Sequence, residues 1–308
     1  MKLRQLHKFS RAIQLKASKQ YIAAATGGKL HICEKETFHE IETFGPMKNG
    51  YDIYIPKDEK TVIVTTCNNP LIYIWSLEDQ EKSRRIRVGK GQEAVREGEA
   101  ALSLDGKHLY VIVNREDSLC DKIVEIDLET NKEVSCYLAE DSFTLEKIIP
   151  LPDHTFFLMG YKRGVEEHDY FIAKFDGKEL TKRIPIKHTT CWVKHYTEQH
   201  MITWYDDIMD CLMCFDGEDL TEISMKWCKP FDTYTYAHYY DRKNNRLYFA
   251  SINGFYVADM SKKEIIDSMP EKTSMREFIY LDGQIHVYDQ AGILYAIEKI
   301  GEAPETKR

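Results

Sequence analysis

Ala100-Ala101-Leu102-Ser103-Leu104-Asp105-Gly106-Lys107-His108-Leu109-Tyr110-Val111-Ile112-Val113 reads as a strand, a tight Asp-Gly turn and a second, almost wholly apolar strand. A third strand follows at Val124-Glu125-Ile126-Asp127, and the turn Glu129-Thr130-Asn131-Lys132 leads into a fourth. Strand formers set between Gly, Asn, Asp and Lys turns at this spacing predict successive antiparallel hairpins. The unbroken run Leu109-Tyr110-Val111-Ile112-Val113 predicts a strand covered on both faces, because a strand with one wet face would alternate apolar and polar residues.

The same unit recurs along the chain. Its third strand is echoed at His31-Ile32-Cys33-Glu34, Tyr73-Ile74-Trp75-Ser76, Ala173-Lys174-Phe175-Asp176, Met213-Cys214-Phe215-Asp216, Val257-Ala258-Asp259-Met260 and Tyr295-Ala296-Ile297-Glu298. The intervals run from roughly 38 to 52 residues, the range of a four-stranded propeller blade. The second strand is echoed at Thr61-Val62-Ile63-Val64, Thr155-Phe156-Phe157-Leu158, Met201-Ile202-Thr203-Trp204, Leu247-Tyr248-Phe249-Ala250 and Ile285-His286-Val287-Tyr288. Seven units of about 43 residues fill the chain. The expectation is an all-β, seven-bladed β-propeller of four-stranded antiparallel blades, a single domain over residues 1–300 followed by a flexible C-terminal tail at 301–308. Eight blades, or six with irregular ends, stay open at this point. The last unit has three strands, and residues 2–9 precede the first complete unit with no other place to go. Pairing the two would close the ring and leave no open edge there to aggregate.

In its repeat pattern the chain resembles the WD-repeat and YVTN-repeat superfamily of propellers. The Gly-His and Trp-Asp pairs of true WD repeats are absent, the nearest matches being Ile74-Trp75-Ser76 and Val124-Glu125-Ile126-Asp127. The resemblance therefore implies the architecture and transfers no functional residue.

The sequence of 308 residues is 43% apolar and 12% aromatic with 19 Tyr, enough for a packed β core. A net charge of -8 works against binding a phosphate backbone, so no nucleic-acid partner is expected. The N-terminus Met1-Lys2-Leu3-Arg4-Gln5-Leu6 lacks the apolar stretch of a secretory signal, and no segment approaches the ~18 apolar residues of a membrane span. A cytoplasmic protein is expected. The 8 Cys then remain thiols, most of them small core residues.

The turns inside each unit are short, as at Asp105-Gly106-Lys107 and Ser261-Lys262-Lys263, whereas the other class of connection carries the insertions 89–98, 115–121, 162–169, 205–210 and 229–236. Long loops gathered on one face of a repeat array mark its binding face. Aromatic and imidazole residues crowd the entries to the first strands of the fifth and sixth units: His188, Trp192, Tyr234, Tyr236 and His238. Strict alternation would set Tyr234, Tyr236 and His238 on one wall. Tyr51, Arg96, Glu97 and Arg276 occupy equivalent entries in other units. Tyr, Trp and Arg dominate interface hot spots, and aromatics also line small-molecule pockets. Rings packed between blades would serve the core instead.

Other signals carry less. Gly89-Lys90-Gly91-Gln92-Glu93-Ala94 resembles a dinucleotide fingerprint, but strand pattern returns at once where that motif needs a helix. Cys211-Leu212-Met213-Cys214 puts its thiols on opposite faces of a strand. Asp206, Asp207 and Asp210, with Glu166, Glu167 and Asp169, form an acidic rim without the spacing of a calcium loop. No catalytic residue, metal site or cofactor is expected, and no nucleophile elbow or zinc-protease motif is present. Propeller enzymes assemble sites from single residues of several blades, so motif absence leaves enzymology open. The leading expectation is a non-enzymatic binding module or scaffold that recognises a protein or peptide through its long-loop face. The alternative is a small-molecule hydrolase or lactonase-like enzyme with its site at the channel mouth and His188, His238 and Glu97 as acid or base.

Overall fold

The computed structural model describes residues 2–9, 11–114, 120–162, 168–188, 193–196, 201–206, 211–223, 235–251, 254–269 and 275–298. After β1 (Lys2–Lys8), the strands follow as antiparallel meanders. The first sheet is β2 (Gln14–Ala17), β3 (Tyr21–Ala25), β4 (Leu30–Glu34) and β5 (Glu40–Phe44). The second is β6 (Gly50–Tyr54), β7 (Thr61–Thr66), β8 (Leu71–Ser76) and β9 (Arg84–Arg87). The third is β10 (Ala94–Leu102), β11 (His108–Asn114), β12 (Asp121–Asp127) and β13 (Lys132–Tyr137), and the fourth is β14 (Phe143–Pro150), β15 (Phe156–Lys162), β16 (Asp169–Phe175) and β17 (Leu180–Pro185). The fifth has three strands among the described residues, β18 (Val193–Tyr196), β19 (Met201–Asp206) and β20 (Cys211–Asp216). The sixth is β21 (Thr235–Asp241), β22 (Arg246–Ser251), β23 (Gly254–Asp259) and β24 (Glu264–Met269). The seventh is β25 (Met275–Leu281), β26 (Gln284–Asp289) and β27 (Ile293–Glu298), completed by β1.

That last pairing is the closure the sequence predicts. β1 runs antiparallel to β27, from Lys2 opposite Glu298 to Lys8 opposite Ile293. Arg4 pairs with Glu298 across it, and the Phe9 N–H donates to the Gly292 carbonyl at 2.8 Å. Seven successive sheets, the last finished by the chain's first strand, make the protein a seven-bladed β-propeller.

The chain falls into two compact units, one of Met1–Ala12, Thr203–Cys214 and Glu222–Arg308, the other of Ile13–Ile202 and Phe215–Thr221. The second contains the first four sheets and shows why the second strands are continuously apolar. Val62 and Val64 of β7 enter a core with Ala23, Ala25, Leu30 and Ile32 of the first sheet, while Ile63 between them enters a core with Val95, Leu109 and Val111 of the third. β11 repeats this, Val111 and Val113 turning to the second sheet and Ile112 to Leu145 and Leu158 of the fourth. With a side-chain period of two and a neighbour on each face, both rows of side chains are covered, as from Val62 to Thr66 and from Val111 to Val113.

In the first unit Asp289, fully buried, builds the turn between β26 and β27. Its Oδ1 accepts the N–H groups of Ala291 and Ile293 at 2.9 Å, and its Oδ2 accepts the Tyr295 hydroxyl at 3.0 Å. A carboxylate so satisfied withstands burial.

Candidate functional site

Five of the first strands, β6, β10, β14, β21 and β25, share one irregularity, while β2 pairs with β3 in unbroken register. In β6, Gly50 pairs with Thr66 and Ile53 with Val64, so Tyr51 and Asp52 face one residue. In β10 the four residues Arg96, Glu97, Gly98 and Glu99 face Ile112 alone, since Val95 pairs with Val113 and Ala100 with Val111. Glu146 is the extra residue of β14, Tyr236 of β21 and Arg276 of β25. A bulge breaks the alternation that would bury a side chain and re-aims it. Polar and aromatic residues are thereby admitted into strands whose neighbours are core.

The bulge of β10 is the largest and is held from two sides. Toward the second sheet, the Thr65 hydroxyl donates to the Gly98 carbonyl at 2.6 Å, and the Tyr54 hydroxyl accepts the Ala100 N–H at 3.1 Å and donates to Asp52 at 3.1 Å. Gly98 has φ +78°, and a Cβ there would stand 2.7 Å from Cδ1 of Tyr51. The ring therefore lies directly on this glycine. Tyr51 is 39% exposed, and Glu97, which precedes Gly98 in the bulge, is exposed with φ +47°, a left-handed conformation that costs a residue with a Cβ about 1–2 kcal/mol. Together they form the outward tip of the site.

Behind the tip lies a charge network reaching the fourth sheet. Arg96 sits 3.4 Å from Asp121 Oδ2 and 3.5 Å from Glu146 Oε1, and Lys147 Nζ lies 2.6 Å from Glu99 Oε1. Asp121 also accepts the Leu145 N–H at 2.7 Å. Asp52, Glu97, Glu99, Asp121 and Glu146 outnumber Arg96 and Lys147. Burial pushes the Glu99 carboxyl up to about 7 against the pull of Lys147, and the Asp121 carboxyl up to about 6 against the pull of Arg96. Glu146 is raised too, again by burial. The network braces the bulge, and burial raises its carboxyls toward neutral pH.

Of the residues the sequence nominates, Tyr51, Arg96, Glu97, Tyr236 and Arg276 all occupy first-strand bulges, and the Tyr51 ring lies on Gly98, the residue after Glu97. His188 is half-buried in the segment after β17. His238 is buried, its Nε2 2.9 Å from the Thr203 hydroxyl, so it packs within its unit and does not face outward. The bulge at Tyr236 also interrupts the alternation expected to align 236 with 238. Trp192 and Tyr234, and the side chain of Tyr236, lie outside the described residues. Sequence reasoning missed Glu146, Lys147 and Asp121. The available signal was Glu146-Lys147 interrupting the apolar pattern of β14.

The remaining motifs find other uses. Gly89-Lys90-Gly91-Gln92-Glu93 forms a turn into β10, in which Glu93 accepts the Lys90 N–H at 2.7 Å and pairs with Lys122 at 2.6 Å. Cys214 is buried, and burial pushes its thiol up to about 12. Cys191, Cys228 and the acidic loop residues other than Asp169 and Asp206 lie outside the described residues, as does the Asp206 side chain. Among the described residues, no group of three His, Cys, Asp or Glu side chains is placed to hold a metal ion. A cavity of about 150 Å³ lies at the short-turn end, lined by Ser103, Asp105, His108, Tyr110, His154 and Asp176. It falls well below the ~300–1,000 Å³ of ordinary ligand pockets.

No protein-family model and no curated protein sequence matches the chain. Solved structures do match in three dimensions. The β-propeller domain of Myceliophteria thermophila Cps50 (Swd1) superposes with a TM-score of 0.74 over 96% of this chain and 100% of that one, at 9% identity. Dihydro-heme d1 dehydrogenase NirN, in complex with DHE, superposes with a TM-score of 0.63 over 93% of this chain and 62% of that one, at 12% identity. At such identities the likeness establishes the propeller fold, in agreement with the WD-repeat-like pattern of the sequence. Among the described residues no helix is long and apolar enough to cross a membrane.

Proposed function

We propose that this propeller is a non-enzymatic binding module that recognises a protein or peptide segment at the bulged ends of its first strands. The supporting observation is the placement of Tyr51 and Glu97: an exposed ring lying on Gly98, and an exposed residue next to that glycine in a bulge that both neighbouring sheets brace. Rigid aromatic anchors on a preorganised backbone lose little entropy on binding, which is what a recognition surface requires. Trp192, Tyr234, Tyr236 and Arg276 extend the reading to the other first-strand entries. We place the protein in the cytoplasm, a compartment that suits the described cysteines, all free thiols.

A native pull-down with the wild type and with Tyr51→Ala/Trp192→Ala tests the proposal, once the two are shown to melt alike. A partner captured by the wild type and lost with the variant is the expected result. Equal capture by both would show that neither Tyr51 nor Trp192 contacts the partner.

A second reading, a small-molecule enzyme at the same bulges, is favoured by Glu99 and Asp121, whose carboxyls at about 7 and about 6 fall where general acids and bases work. Both are engaged by Lys147 and Arg96, which ranks this reading second. It predicts a thermal shift with some member of a broad metabolite panel, lost in Glu99→Gln; no shift across the panel would dismiss it.

A further inference from the structure

The outer strands of the sheets are treated unequally. β5 carries a bulge at Ile41, β13 at Val134, β17 at Thr181, β24 at Ile266 and β1 at Leu6. Each kinks an edge that would otherwise template another chain, and this is how natural sheets refuse unwanted strands. Among the described outer strands β9 alone is regular, pairing Leu71 with Arg87, Ile72 with Ile86, Tyr73 with Arg85 and Ile74 with Arg84 without a shift.

The register fixes what β9 presents. The Val88 N–H donates to the Pro70 carbonyl at 2.8 Å, so Val88 and Pro70 occupy a hydrogen-bonded position of the ladder, with one bond because proline has no N–H to return. Such pairs alternate along an antiparallel ladder, which makes Ile86 with Ile72 and Arg84 with Ile74 the next two. The backbone N–H and C=O of Arg85 and Arg87 then point away from β8, toward the side where no further strand lies in this sheet. Ile86 and Val88 are buried and anchor the strand, while Arg84, Arg85 and Arg87 are exposed. Arg84 is tied to the Leu128 carbonyl at 3.2 Å and Arg87 to the Gly91 carbonyl at 2.6 Å, contacts that leave each guanidinium its charge.

We infer that β9 is a second docking site, where an extended acidic segment of a partner protein adds as a fifth strand to the second blade. Outward backbone groups supply the hydrogen bonds of strand addition, and the arginines select the partner. In a chain of net charge -8 this edge is a local reversal of sign. A second copy of β9 would set arginine against arginine and is refused, whereas a strand with Glu or Asp at alternate positions meets opposite charge across the pair. The site is separate from the Tyr51 and Glu97 tip and stands or falls without it.

The test uses a fluorescein-labelled octapeptide of alternating Glu and Val, titrated against the full chain and read by anisotropy. Binding should weaken at least tenfold with Arg85→Glu/Arg87→Glu, and likewise with Arg87→Pro, which deletes an outward N–H while leaving the ladder to β8 intact. It should also be lost when every interior amide of the peptide is N-methylated, a change that alters neither the charge nor the protein. The amide hydrogens of Arg85 and Arg87 should gain protection from exchange in the complex. Equal binding of the methylated peptide, no binding at millimolar concentration, or an eight-nucleotide single-stranded DNA that binds through the same arginines more tightly than the peptide would each overturn strand addition.

Discussion

Glu97 and Gly98 show how a strand interior becomes an outward tip. Gly98→Ala adds a Cβ against the Tyr51 ring at a positive φ, and it should cost about 1–3 kcal/mol of stability and displace Tyr51, measured by denaturant unfolding and by partner capture. Glu97→Gly relieves a left-handed backbone, so it should leave stability equal or raise it by up to about 1 kcal/mol while weakening capture. A variant that gains stability and loses function separates the recognition role of Glu97 from any role in folding. Glu99 gives a pH signature. Its usual carboxyl value of 4.5 rises to about 7 in the fold because it is buried, so between those values the folded chain holds a proton that the unfolded chain has released. Stability conferred through this group therefore falls as pH rises from about 4.5 to about 7, and Asp121 acts in the same sense between 3.8 and about 6. Unfolding free energies of Glu99→Gln measured at pH 5 and pH 7.5 should decline less with pH than those of the wild type; an unchanged slope would show that Glu99 is already ionised in the fold.

At the level of strands and turns, the periodic signal was readable because it is local. Leu109 to Val113 could be assigned to a strand buried on both faces from its composition, and its two cores confirm the assignment. The bulges were not readable in the same way. A register shift is a property of two strands together, and nothing in Arg96-Glu97-Gly98-Glu99 alone says that Ile112 will face all four. What the sequence did contain was runs of charge inside otherwise apolar strands, at 96–99 and at Glu146-Lys147. Tyr51, Arg96 and Glu97 were found through their position at strand entries, while Asp121 and Glu146 stayed hidden because their partners come from neighbouring sheets. The turn at Gly292 carries a further prediction. A Cβ there would collide with the Phe9 carbonyl, so Gly292→Ala should separate the segment that leads out of β1 and lower the melting temperature by several degrees.

For the molecule as a whole, the fold places its chemistry where the blades' first strands bulge and its defences where the outer strands do, with β9 the exception among the described outer strands. Closure through β1 should matter to the whole propeller: deleting residues 2–8 strips β27 of its outer partner and should lower stability sharply, whereas a truncated protein melting like the full one would refute the closure. Recognition at the Tyr51 and Glu97 tip is tested most directly by a photo-crosslinking residue placed at position 51 in cells, beside a control at position 280, where Tyr280 is 47% exposed in the other unit. A discrete covalent adduct with one protein from position 51, absent from position 280, is the expected result. No adduct at position 51, or the same adducts from both positions, would contradict recognition at the Tyr51 and Glu97 tip.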